Sequence, residues 1–283
     1  MFFTKNFTSE VKKDIEGCKI LSVLMRDFGG IVAGGTSHAV MRGLSIEDYQ
    51  RIHNTADVDL YFKTEASYLK AVDYVASCKN IHLQKSVTGL CHDVHLDDDN
   101  QVINKIQLVG CVFGSPKEIV SSFDFRNLES CLYFEKDKYC LMYSENAENE
   151  ETLMIRHSRS PFLMHRVYKY LTYRGYSRLS KCSKRHVTDW IIKASSGFYN
   201  ENTDRCPSIY VDLLNNQNFI KMTKDRNIVS DEDLVYMIGK IKEIIFKEID
   251  VMTPMGYHTK DFYPAGSKDI VIEEIKRRAH ANK

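Results

Sequence analysis

The turn Gly34-Gly35-Thr36-Ser37 is followed by Asp57-Val58-Asp59 inside an apolar run, and these residue types in this order suit nucleotide chemistry. An apolar stretch, Ile31-Val32-Ala33, enters the glycines and a helix-compatible stretch, His38 to Met41, leaves them. Backbone N–H groups gathered at a helix start in this way attract phosphate. The plainer alternative for Gly34 and Gly35 is an ordinary turn with positive φ. Asp57 and Asp59 stand two apart, which on a strand puts both carboxylates on one face while Val58, Leu60 and Phe62 point into a core. Two such acids repel unless a cation separates them. Mg²⁺ takes one or two carboxylates plus phosphate oxygens and water, and two such ions can activate a hydroxyl and steady a leaving pyrophosphate. The chemistry expected is phosphoryl or nucleotidyl transfer, against a pair of solvated positions on an exposed sheet face.

With the turn and the acidic strand in that order, the chain resembles the polymerase-β-type nucleotidyltransferase superfamily. Its hallmark is a Gly-Gly-Ser/Thr turn, an Asp-x-Asp strand and a third carboxylate on a later strand. The resemblance covers roughly the first half of the chain and is nearer to divergent viral and phage members. It is carried by Gly34-Gly35 with Arg42, by Asp57-Val58-Asp59-Leu60-Tyr61-Phe62, by Ile106-Gln107-Leu108-Val109 and by Phe123-Asp124-Phe125. The resemblance implies an α/β (α+β) fold, a mixed sheet with flanking helices. It also implies Mg²⁺ or Mn²⁺ held by Asp57 and Asp59, an NTP substrate, and nucleotide contacts from Gly34, Gly35, Ser37 and Arg42.

The third carboxylate departs from that pattern. The expected strand over 102–109 carries Asn104 and Gln107 but no acid, so either the site is degenerate or the acid lies elsewhere. Asp124 is the leading candidate for a catalytic set of Asp57, Asp59 and Asp124, because a carboxylate between two phenylalanines is costly to bury unless a metal or hydrogen bonds compensate it. Its alternative is an Asx turn or a cap. Asp93 and the run Asp97-Asp98-Asp99 rank lower, the run reading as a solvated hairpin tip.

A second feature hides under a formal net charge of +1: residues 156 to 193 hold ten Lys or Arg and a single acid, Asp189. Phe162, Tyr168, Tyr170, Tyr173, Tyr176 and Trp190 are interleaved with these cations, a mixture suited to phosphates and stacked bases. Pro161 to Tyr173 reads as a helix with Leu163, Val167, Tyr170 and Leu171 towards one face and Arg166 and Lys169 on another. In the superfamily, basic residues from the helical region after the sheet contact the triphosphate, and Arg166 and Lys169 are the positions that this resemblance marks. A solvated helix face is the alternative.

These groups need a scaffold, and 283 residues that are 43% hydrophobic are enough for one large domain or two small ones. The expected frame is an amphipathic helix over 9–27, the glycine turn, strands near 57–63, 102–109 and 121–126, and a helix near 65–78. A hairpin over 131–143 turns at Lys136-Asp137-Lys138, and the acidic run 145–151 reads as an exposed linker. The boundary set there gives a nucleotidyltransferase-like domain over 1–150 and a mainly helical, basic domain over 151–283. The clearest helix of the latter starts at Ser230. The eight cysteines form no Cys-x-x-Cys pair, which speaks against structural zinc and for free thiols in a reducing cytoplasm. No signal peptide or membrane anchor is expected.

The function expected is a metal-dependent nucleotidyltransferase that moves an NMP from an NTP to a hydroxyl acceptor, RNA or tRNA, in a cleft between the domains. A degenerate fold that binds nucleotide or RNA as a regulator or host-interaction factor stays open, as does a toxin-like enzyme that modifies tRNA or protein.

Overall fold

A computed structural model of the chain describes residues 1–53, 57–79, 81–85, 91–96, 103, 105–156, 166, 167, 170 and 176–187. These fall into two compact units, one ending at Asn149 and the next beginning at Glu150.

The first unit is built on eight strands: β1 Phe2–Asn6, β2 Ile31–Ala33, β3 Val58–Phe62, β4 Ile81–Lys85, β5 Cys91–Leu96, β6 Lys105–Phe113, β7 Ser130–Glu135 and β8 Lys138–Ser144. They form one mixed sheet in the order β1-β8-β7-β2-β3-β6-β5-β4. The β3–β6 pair is parallel and the others are antiparallel. Along β3, Val58, Leu60 and Phe62 are fully buried while Asp59 and Tyr61 are half-buried, the alternation expected of a strand with one core face.

That core face packs against helices α1 Ser9–Gly17, α2 Lys19–Asp27 and α5 Glu65–Ser77. Val11, Ile15, Leu21, Leu24, Met25, Ala71 and Val75 meet Val58, Leu60, Ile106, Leu108 and Val94 there. Two shorter helices, α3 Gly35–Met41 and α4 Ile46–Ile52, follow β2. Helix α6, Pro116–Ser121, carries Ile119 and Val120 into a smaller cluster with Ile31, Ala33, Val112, Cys131 and Met142.

Three local expectations change. The single helix over 9–27 is two helices, broken at Cys18 (φ −93, ψ 92), which caps one and opens the other. The break gives each helix its own apolar stripe against the sheet. The expected strand over 121–126 does not form: Ser115 and Glu118 make a reciprocal capping box with Pro116 in the first turn of α6, which runs to Ser121, and the chain then turns into a 3-10 turn, Arg126–Leu128. The run 145–151 is largely exposed, yet it holds a 3-10 turn whose Ala147 is fully buried. The hairpin turns at Lys136 (φ 50) and Asp137 (φ 59), the left-handed pair of a two-residue connection.

In the second unit, β9 Thr152–Leu153 pairs in parallel with β10 Arg178–Leu179. Residues 181–187 are helical, with Ser180 Oγ accepting from the Ser183 N–H at 3.2 Å. Arg166, Val167 and Tyr170 are helical; Val167 is buried and Arg166 exposed. Lys169, Asn104, the Asp97–Asp99 run and the helix from Ser230 lie outside the described residues. Among the described residues no helix is long and apolar enough to cross a membrane, and the described cysteines form no disulfide.

Candidate active site

The glycine turn and the acidic strand meet because β2 and β3 are neighbours, with Ala33 opposite Asp59. Gly34 leaves β2 at φ 83 and ψ −140, a conformation nearly reserved for glycine, and caps α3. A Cβ on Gly34 would come within 3.1 Å of Asp59 Oδ2, and one on Gly35 within 2.4 Å of Tyr49 Oη. Gly34 is favoured by its backbone conformation and stands close to Asp59, and a side chain at Gly35 would have to displace the Tyr49 hydroxyl. The Thr36 hydroxyl donates to the Asp57 carbonyl at 3.1 Å, tying the start of α3 to the entry of β3. Turn and acidic strand are thus tied together by strand pairing and by this hydrogen bond.

The other turn residues have different parts. Ser37, expected to touch nucleotide, is fully buried. Its hydroxyl lies 2.7 Å from the Ser130 carbonyl and 3.0 Å from the Gly34 carbonyl, so it locks the turn to β7 instead of facing a ligand. Arg42, also expected on the nucleotide, is exposed at the C-terminal cap of α3, the end away from the glycines. There a cation complements the helix dipole.

The missing acid of β6 has a clear register. Gln107 faces Asp59 across the parallel pair, and Asp93 of β5 faces Gln107 from the other side. The Gln107 amide donates to Asp93 Oδ1 at 2.8 Å. Carboxylate, amide and carboxylate thus run in one row across three strands. Two residues earlier along β6, and so on the same face, stands Lys105, whose ammonium is 3.3 Å from Asp57 Oδ1 and 3.8 Å from Asp93 Oδ1. Asp93 ranks low in sequence beside the Asp97–Asp99 run; its place mid-strand, in register with Gln107, is what separates it. Lys105 escaped notice because its partners come from two other strands.

Asp124 is buried, with 2% exposure, between Phe123 and the buried Phe125. Phe123 in turn packs its ring 5.8 Å from that of Tyr61, which shares a face of β3 with Asp59. Among the described residues no group of three or more His, Cys, Asp or Glu is arranged to hold a metal. Asp57 and Asp59 are a two-carboxylate set, which matches magnesium's habit of taking few protein ligands and completing its shell with phosphate and water.

On the opposite face of β5, Tyr68 of α5 and His92 share a hydrogen bond of 2.6 Å between Oη and Nδ1. Burial raises the Tyr68 phenol to about 12, and burial followed by the charge of Lys85 lowers the His92 imidazole. Gly110 admits this pair, since a Cβ there would meet the Tyr68 ring at 2.5 Å.

Of the basic segment, Arg166, Lys181 and Arg185 are exposed, while Arg178 is engaged by Glu151 at 3.2 Å and by Thr152.

The family model for Gabija anti-defense 2 family proteins matches residues 2–165, more than half of the chain. The chain belongs to that family. No curated protein matches it. Among solved structures it resembles the Thermotoga maritima CCA-adding enzyme complexed with tRNA, at 15% identity and a TM-score of 0.51, over 84% of this chain and 55% of that one. A CCA-adding enzyme in complex with ATP is similar at 15% identity and a TM-score of 0.52, over 85% and 54% of the two chains. A CCA-adding enzyme in complex with CTP gives 14% identity and a TM-score of 0.52, with 85% and 54% covered. The chain spans about half the length of these structures. The family member therefore has the mixed α/β fold of the CCA-adding nucleotidyltransferases.

Proposed function

We propose that this chain is a metal-dependent nucleotidyltransferase that transfers an NMP from an NTP to a hydroxyl group, and that it uses this activity in the host cytoplasm against the Gabija defence that its family name records. The observation that carries the reading is the closeness of Gly34 to Asp59: a turn in a conformation that favours glycine stands where an added Cβ would lie 3.1 Å from Asp59 Oδ2, with Asp57 two residues earlier at the entry of β3. A divalent ion held by Asp57 and Asp59 would supply Lewis-acid polarisation of the phosphates.

The chain's own residues do the positioning. Gly34 fixes where Asp59 Oδ2 can sit, and Thr36 holds the backbone of Asp57 so that the two acids cannot drift apart. Asp124 is proposed as the third acid of the set, and Arg166 and Lys169 as anion contacts. The solved neighbours were captured with tRNA, ATP or CTP, which supports an NTP as substrate and a nucleic acid as the first acceptor to try.

A second reading is favoured by a specific observation. Lys105 reaches Asp57, and an amide, Gln107, faces Asp59 where the superfamily carries an acid. On that reading the chain is a degenerate member that binds nucleotide or RNA and acts by occupancy. The deciding experiment offers each α-labelled NTP, with Mg²⁺ or Mn²⁺, to separate RNA, DNA and protein acceptors. Label in an acceptor supports the enzyme and names the acceptor class. Nucleotide binding without any transfer supports the binding module.

A further inference from the structure

Among the described residues, Asp59 and Asp93 stand in one row of this sheet face with Asp57 at the entry of β3, and the Lys105 ammonium pairs with both Asp57 and Asp93. We infer that Lys105 is a built-in cation of the proposed site, which holds Asp57 from one side and so limits the carboxylate pair to one divalent ion. The inference rests on the metal reading of Asp57 and Asp59.

The geometry argues for a role beyond an ordinary surface ion pair. Lys105 has 32% of its side chain exposed, Asp57 28% and Asp93 20%, so the group sits in a partly desolvated surface where charges are felt more strongly than in water. Asp93 is held in place by Gln107, which leaves it free to attract the ammonium but gives it a fixed position. The strand registers put Lys105 between β3 and β5. A second divalent ion bridging Asp57 would approach the ammonium to within a few ångströms and be repelled by it. Removing the ammonium charge should therefore raise the affinity for divalent ions, whereas an ordinary strand pair would leave it unchanged.

The test is Mn²⁺ binding to the full chain without nucleotide, followed by electron paramagnetic resonance, for wild type, Lys105→Met, Lys105→Arg and Asp59→Asn. Methionine keeps most of the stem and removes the charge; arginine keeps the charge. Wild type is expected to take at most one Mn²⁺, Lys105→Met to bind it about tenfold more tightly or to take a second ion, and Lys105→Arg to behave as wild type. Asp59→Asn should lose binding. Matched thermal melts check that each variant is folded, and Lys105→Arg paired with Lys105→Gln repeats the comparison if the methionine variant is not. Equal affinity and stoichiometry in wild type and Lys105→Met would overturn the inference and leave the metal reading standing. Two ions in wild type would overturn it as well. No Mn²⁺ in either wild type or Lys105→Met would remove the metal reading itself and this inference with it.

Discussion

Replacing Gly34 by alanine should separate the turn's conformational demand from its contact with the acid. At φ 83 and ψ −140 an alanine is strained, and residues in such regions cost about 1–3 kcal/mol each. The new Cβ would also stand 3.1 Å from Asp59 Oδ2, tighter than an ordinary contact, so the carboxylate must move by a few tenths of an ångström. A loss of about 2 kcal/mol lowers the melting temperature by roughly 4–8 °C for a domain of this size. Gly29 is the internal control: its φ is 68, but an added Cβ meets nothing within 4 Å. Gly29→Ala should cost about 1–2 kcal/mol through its backbone alone and leave Mn²⁺–NTP binding untouched. The assays are thermal melting and nucleotide binding by calorimetry on both variants. Gly34→Ala should melt lower than Gly29→Ala and bind Mn²⁺–NTP at least about tenfold more weakly, because positioning errors at the carboxylate proposed to hold the metal are costly. If the two variants melt alike and bind alike, the turn does not position Asp59.

Three further outcomes follow from the same structure. Asp57→Asn and Asp59→Asn, each nearly constant in volume, should cut label transfer by orders of magnitude at an unchanged melting temperature; wild-type turnover in both would end the metal assignment. His92 is held neutral by burial, so the unfolded chain takes up its proton first as pH falls below the ordinary histidine value of 6.5, and stability contributed above that value is lost as pH drops through the lowered one. Melting temperatures between about pH 7 and 5 should therefore fall less steeply in His92→Gln than in wild type, and parallel profiles would contradict this. For Arg166 and Lys169, the double alanine variant should bind RNA less tightly, with a slope of log affinity against log salt that is smaller by roughly one to two units; an unchanged slope would return both to a solvated helix face.

The parts of the fold legible in sequence are those with a strong local signal. Val58, Leu60 and Phe62 alternate with Asp59 and Tyr61, and the structure shows that period as β3. Thr64 before Glu65 signals a helix start, and its side chain accepts from the Ser67 N–H. What stayed hidden depends on partners far along the chain. The N-terminal β1 gives little sign in sequence because Phe2–Asn6 is mostly exposed, and it forms only by pairing with β8. Ser122 to Phe125 reads as a strand from its phenylalanines, but the capping box of Ser115 and Glu118 starts a helix just before them. The site behaves likewise. Gly34, Gly35, Asp57 and Asp59 are readable as a motif, whereas Lys105, Gln107 and Asp93 acquire meaning only through the register of β3, β6 and β5. Ser37 fits the motif, yet its contact with Ser130 of β7 turns it into a structural bond.

The central claim is that Asp57 and Asp59 jointly hold a divalent ion beside the Gly34 turn. Anomalous scattering from crystals grown with Mn²⁺ and a non-hydrolysable NTP tests it most directly. The account predicts a peak bonded to oxygens of both carboxylates at about 2.0–2.3 Å, with the phosphates over Gly34-Gly35 and Asp124 in direct or one-water reach of the ion. Nucleotide bound elsewhere, or a peak absent from both carboxylates under saturating Mn²⁺, would contradict it.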